Sequence, residues 1–300
     1  MKVVYLVLSH RNPEQVLRLV RALCEGPAAR VLVRHDQRRS WLDPADVEAA
    51  GAEPIDDGID VEWAAWSHVE VILAGLRRAA PLDPDWVLVL SGQDYPLRPM
   101  GEIEADLAAS EGDAMLGAVR EIESRRPVGD DEFFLRVAYR HYRRPRRLPH
   151  LPRLLRPLVY VRDLPPLVGI RRLRQPGLRL YSSADWLTLG RRGLSRVLAA
   201  GEDRRLLRAF RRVAVPSESF FASVLLNDPR LRVERDHRRF LAFAGPGVPH
   251  PETLTAADLG TALASGADFA RKFDVTVDAR PFDLLDQRNR ASTPDRLDWL

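Results

Sequence analysis

One cysteine stands in 300 residues, Cys24, which excludes an internal disulfide framework and any metal centre built from cysteines. It lies in an apolar helical pattern and is expected to be a small buried hydrophobe. Long apolar runs are missing as well. None approaches the roughly 18 residues of a membrane span, and the sequence opens on an apolar strand, Lys2 to Leu8, in place of a signal peptide. The expected location is cytoplasmic, with transient contact at the inner face of a membrane left open. Lysine is the third scarcity. Of 46 cationic residues only Lys2 and Lys272 are lysine, so arginine serves almost everywhere a positive charge is used, and Lys272 is a candidate for a specific task. Its chance survival is the competing reading. A net charge of +4, with 45% hydrophobic and 29% charged residues, is the balance of an ordinary folded chain.

The stretch from Asp85 to Arg98 organises what is there. Trp86 to Leu90 is an unbroken apolar run that predicts a strand buried on both faces. Ser91-Gly92-Gln93-Asp94 then makes a turn at its carboxyl end, and Pro96 stops the strand. Open α/β sheets bind ligands at that end of their strands, which places Asp94 in a cleft. The plainer alternative is that Asp94 caps the N–H groups of its own turn.

Around this stretch the chain alternates strand and helix. Lys2 to Leu8 precedes Asn12-Pro13-Glu14-Gln15, which reads as an N-cap, a proline at the first helical position and a glutamine at the third. Val31 to Val33 ends in Arg34-His35-Asp36, again polar at a strand's carboxyl end; no second histidine at a useful spacing makes His35 a metal ligand. Ser67-His68-Val69-Glu70 reads as a capping box opening a helix to Arg78. Gly101 to Ser110 predicts a helix and Ala114 to Val119 a strand. The class implied is α/β, with a mostly parallel central sheet covered by helices.

Residues 120–180 break the alternation. They are rich in arginine and proline, centred on Arg143-Arg144-Pro145-Arg146-Arg147, and predict an irregular basic excursion. It reads as a solvated face, or as a surface for an anionic acceptor, a membrane or nucleic acid. After it, Leu180 to Leu189 and a basic helix to about Ala200 restore regular structure. In Pro216 to Asn227, the residues Ser219, Ser223 and Asn227 form a polar stripe. Glu218 lies off that stripe, on the inward side of the first helical turn, where the helix dipole favours a carboxylate. Such a group is either paired in the core or lines a cleft. Phe269 and Phe273 can anchor a segment that presents Lys272. After Val277 the pattern is charged and weak, which predicts a loose tail over 276–300 beyond a single domain of 1–275.

Four segments, taken in order, resemble a known family: Ser91-Gly92-Gln93-Asp94-Tyr95-Pro96-Leu97, Ser183-Ala184-Asp185-Trp186, Pro216-Ser217-Glu218-Ser219-Phe220-Phe221, and Phe269-Ala270-Arg271-Lys272-Phe273-Asp274. Together with His35-Asp36 and the Trp63 to Trp66 segment, they look like the core-2/I-branching β-1,6-N-acetylglucosaminyltransferases and the related peptide O-xylosyltransferases. That resemblance implies a GT-A-type fold and an inverting transfer from a UDP-sugar to an acceptor hydroxyl, with no metal and no other cofactor. GlcNAc is the favoured sugar and xylose the alternative; the acceptor would be a glycan, a peptide or a small molecule. By resemblance Glu218 is the catalytic base, although serine stands before it where the family often has aspartate, and Lys272 contacts the donor diphosphate. Donor-side residues would be His10, His35, Asp36, Gly92 and Asp94. Acceptor-side residues would be Trp186, Asp185 and Tyr95. A second cation on the diphosphate has no arginine at the family's spacing, and Arg238 or Arg239 are the expected substitutes.

The residue chemistry agrees with this assignment. Charge developing on a departing diphosphate is stabilised either by a divalent ion held on Asp-x-Asp after a strand or by fixed cations. Here Asp83-Pro84-Asp85 precedes its strand, Asp57-Gly58-Ile59 does not complete the pattern, and Ser-Gly-Gln-Asp occupies the strand end. Fixed cations would then carry the load, at about 1.5 to 3 kcal/mol for each charge-assisted contact. A basic protein that binds nucleic acid or a membrane surface through the arginine run is the reading from another class; it leaves Glu218 and Lys272 without a role.

Overall fold

A computed structural model describes residues 1–62, 64–122, 177–211, 213, 215–245 and 250–291. Trp63, Pro249 and the arginine run at 143–147 lie outside the described residues. The centre is a seven-stranded sheet in the order β10-β6-β9-β4-β1-β2-β3. Its strands are β1 (Val3–Ser9), β2 (Ala29–His35), β3 (Glu53–Pro54), β4 (Trp86–Ser91), β6 (Ala114–Leu116), β9 (Leu187–Gly190) and β10 (Val233–Glu234). All neighbours run parallel except β9, which is antiparallel to both β4 and β6. The expected α/β architecture with a mostly parallel, helix-covered sheet is therefore what the chain forms.

The pleat explains why β1 and β4 are apolar throughout, since successive side chains enter opposite cores. Val4, Leu6, Val87 and Val89 join one core with helices α3 (Trp66–Ala79), α5 (Arg191–Ala200) and α7 (Ser217–Leu226). Val3, Tyr5, Val7, Leu88 and Leu90 join the other with α1 (Pro13–Cys24) and α4 (Met100–Ala109). In the first core Phe220 meets Trp66, Phe210 and Phe221 edge-on at centroid distances of 5.4, 5.4 and 5.2 Å, geometry worth about 0.5 to 1.5 kcal/mol per pair beyond the burial itself.

A second sheet, β11 (Arg239–Leu241), β12 (Phe269–Arg271) and β5 (Asp94–Pro96), lies beyond the turn after β4. The two ends of the basic excursion meet as the antiparallel pair β7 (Arg120–Ile122) and β8 (Leu180–Ser182). The polar stripe of α7 holds that pair in place. Ser223 Oγ accepts from the Tyr181 N–H at 3.0 Å, and Asn227 bonds both the N–H and the C=O of Arg179.

Several local expectations change. Residues 280–291 are not loose but form α9, whose Phe282 and Leu285 are buried against Tyr95 and Phe273. Arg18 clamps it through Asp283 and Asp286 at 2.7 and 2.6 Å. Neither anticipated N-cap forms. Asn12 adopts φ 50° and donates to Asp274, and Ser67 Oγ accepts from the Glu62 N–H. Gln15, freed from capping, is buried and donates to the carbonyls of Gly92 and Phe273 at 2.8 and 3.1 Å while accepting from Val275 N–H. It thereby ties α1 to both segments that border the site. Cys24 is exposed, because it ends its helix on the outer side.

Candidate functional site

A cavity of about 440 Å³ opens at the carboxyl ends of β1, β2 and β4. This is where parallel strands end together and loops diverge, and the volume falls in the range of small-ligand sites. Ser9 of β1 and His10 just after it, Arg34 of β2 with Asp36 and Arg39 from the loop that follows, and Ser91 of β4 reach it. Val61, Val71 and Ile72 supply an apolar wall beside His68, and Asp185, Trp186, His250 and Arg271 close the far side. One region is thus cationic and another apolar, which suits a ligand with an anionic part and a flat or apolar part.

Arg271 is held from three directions. As the last residue of β12 it pairs across the strands with Asp94 of β5, and its Nη1 donates to Asp94 Oδ1 at 3.2 Å. Its guanidinium lies 4.2 Å from the centroid of the Trp186 ring, a cation–π contact that fixes the plane of the fork. Asp94 is 1% exposed, and its other oxygen accepts from the Ser91 N–H at 2.8 Å. Asp94 therefore caps its own turn and orients Arg271, and it is Arg271 that faces the cavity. Beneath Trp186, at 5.7 Å from its ring, lies the Arg239 guanidinium, which donates to the carbonyls of Val89 and His237. Burial pushes Arg239 down to about 10, opposed by the charge of Asp94, so it remains a cation at neutral pH.

Of the expected residues, the structure brings His10, Asp36, Asp185 and Trp186 together on the cavity. His35 stands just behind, bonded to Ser9. Gly92 acts by close approach, since a Cβ there would lie 2.7 Å from Ser9 Cβ and 3.0 Å from Val16 Cγ2. Other assignments are corrected. Tyr95 is buried on the opposite side of β5, donating its hydroxyl to Asp286 at 2.6 Å, as strand alternation from Asp94 requires. Arg238 faces a separate surface cleft with Glu234 and Asp236, while Arg239 is a core cation.

Lys272 and Glu218 are not among the described residues that line the cavity. Lys272 is half-buried, and its carbonyl accepts from Leu254 N–H. Glu218 sits in the first turn of α7, and its carbonyl accepts from Ser183 N–H at 2.8 Å, so that turn backs the loop carrying Asp185 and Trp186. The Asp185 Oδ1 is buried without a hydrogen-bond partner.

Arg271, Arg39 and Ser9 were missed by sequence reasoning. The available signal for Arg271 was its position two residues after Phe269 on a short strand, which puts both side chains on one face. Asp83 and Asp85, at the amino end of β4, both pair with Arg191. Among the described residues, no three His, Cys, Asp or Glu side chains converge into a metal-holding group. Burial, first of all, holds the imidazoles of His10 and His35 below their ordinary range.

No protein-family model matches the chain, and no curated protein matches it in sequence. Among solved structures, a nucleotidyl transferase from Methanothermobacter thermautotroptrophicus aligns over 40% of this chain and 65% of its own, just under two thirds, at 12% identity and a TM-score of 0.29. A Bacillus anthracis protein named as a glucose-1-phosphate thymidylyltransferase, solved in complex with a sucrose, aligns over 78% of this chain and 86% of its own, at 8% identity and a TM-score of 0.36.

Proposed function

We propose that this chain is an inverting glycosyltransferase of GT-A type that moves a sugar, GlcNAc favoured, from a UDP-sugar to an acceptor hydroxyl. The reading rests on one observation: a cavity at the carboxyl ends of three parallel strands is lined both by the clamped guanidinium of Arg271 and by the apolar side chains of Val61, Val71 and Ile72. Arg271, with Arg39 on the same cavity, takes the diphosphate, and Lys272, next in the chain, is the diphosphate contact that the resemblance implies. Preorganised cations of this kind stabilise the leaving group's charge without reorganising during the reaction. A planar guanidinium adds bidentate geometry on phosphate oxygens.

In the transfer step the acceptor oxygen forms a bond to the anomeric carbon from the face opposite the nucleotide. The bond from that carbon to the phosphate oxygen breaks, and UDP leaves with the electron pair. The hydroxyl proton passes to a carboxylate, a contribution of about 10² to 10⁴ in rate. Glu218 is that base by resemblance. Asp185, on the cavity wall in front of the turn that carries Glu218, is the neighbour from which it must be distinguished.

The test is thermal shift and turnover across a panel of UDP-sugars with wild type, Glu218→Gln and Asp185→Asn. We expect UDP-GlcNAc to raise the melting temperature and be consumed, and Glu218→Gln to bind it without transfer. No shift with any UDP-sugar would overturn the reading. Turnover kept by Glu218→Gln and lost by Asp185→Asn would move the base to Asp185.

A further inference from the structure

Ser9, at the carboxyl end of β1, lines the cavity, and its Oγ lies 2.8 Å from Nδ1 of the buried His35 at the end of β2. The other ring nitrogen of His35 is 2.9 Å from the carbonyl oxygen of Ser40 and 2.8 Å from its hydroxyl. A carbonyl oxygen can only accept, and the Ser40 hydroxyl can turn to accept as well, which favours the tautomer with its hydrogen on Nε2. In a neutral imidazole Nδ1 is then an acceptor, and the bond from Ser9 must be donated by the Ser9 hydroxyl. The single hydrogen of Ser9 is thereby committed to His35, and the cavity sees only oxygen lone pairs. Asp36, whose N–H donates to the Ser9 carbonyl at 2.8 Å, adds a carboxylate on the same wall.

We infer that Ser9, polarised by His35, is a specificity residue that accepts a hydrogen bond from the nucleoside half of the ligand and rejects its phosphates. The inference rests on the nucleotide-sugar reading. A nucleoside offers donors, namely the ribose hydroxyls and the imide N–H of uracil, whereas an ionised diphosphate offers none. The cavity therefore offers each half of one molecule its own partners: Arg271 and Arg39 for the anion, and Ser9 with Asp36 for the donor hydrogens.

The experiment is calorimetric titration of the full chain with UDP and, separately, with inorganic diphosphate, for wild type and Ser9→Ala at pH 7.5. At pH 7.5 we expect Ser9→Ala to weaken UDP about tenfold, the worth of one hydrogen bond, and to leave diphosphate unchanged. Equal weakening of both ligands, or no weakening of UDP, overturns the inference. Nitrogen-15 spectra of the imidazoles at pH 7.5 test the polarity without any nucleotide. His35 should show Nε2–H and a bare Nδ1 whose resonance moves in Ser9→Ala, and an Nδ1–H tautomer overturns the inference as well. Failure of wild type to bind UDP, with the expected tautomer present, refutes the nucleotide-sugar reading and the role of Ser9 with it.

Discussion

Replacing Asp94 by asparagine changes no more than one atom in shape and removes the charge on which the site is built. Asp94 is 1% exposed, accepts from Ser91 N–H at 2.8 Å and pairs with Arg271 at 3.2 Å. Its charge also supports Arg239. Breaking a fully buried pair costs about 3 to 5 kcal/mol because the partner charge is left uncompensated. The Arg271 side chain retains 19% exposure, so solvent recovers part of this, while Arg239 adds to the loss. A destabilisation of about 3 kcal/mol is expected. Denaturant unfolding of wild type, Asp94→Asn, Arg271→Met and the double variant gives the coupling directly. The same variants report function: with Arg271 no longer aimed, UDP should bind Asp94→Asn at least tenfold more weakly, although Asp94 itself does not line the cavity. Wild-type stability together with wild-type UDP affinity in Asp94→Asn would refute the reasoning.

Three further outcomes are expected. Burial, with Arg239 nearby, holds His237 near 4 against an ordinary 6.5. The unfolded chain therefore binds a proton that the folded chain does not, and stability should fall by at most about 3 kcal/mol as pH drops from 6.5 to 4. His237→Gln should flatten that part of the pH–stability profile, and an unchanged profile would count against it. Phe282→Ala should cost about 3 to 5 kcal/mol in chemical unfolding, because its ring is fully buried against Tyr95 and Phe273; a loss under 1 kcal/mol would mean that α9 does not dock. Transfer should persist in excess chelator, and activity lost there and restored by manganese would contradict cation-based stabilisation of the leaving group.

The parts of this molecule legible in its sequence are those with a period. Apolar runs located β1, β2 and β4, and the polar residues at their ends, His10, Asp36 and the Ser91–Asp94 turn, are where the cavity opens. What failed were choices between adjacent residues at strand ends. Arg238 precedes β11 with a left-handed φ of 53° and faces a surface cleft, while Arg239 opens the strand and is buried. Asp94 and Tyr95 alternate across β5. A one-residue difference in register reverses the two roles, and register comes from partner strands far along the chain, such as β12 against β5. The N-caps failed because tertiary partners outcompeted local ones: Asp274 took Asn12, and Gly92 and Phe273 took Gln15. The docking of α9 rests on Phe282 and Leu285, too few apolar positions to stand out among its charges.

The central claim is that Arg271 is the cation on which the nucleotide diphosphate rests. Calorimetric titration of UDP into wild type, Arg271→Met and Lys272→Met tests it most directly. The account predicts that Arg271→Met weakens UDP about 10- to 100-fold, the worth of one or two charge-assisted contacts, and that Lys272→Met weakens it less. UDP bound by Arg271→Met as tightly as by wild type would contradict it.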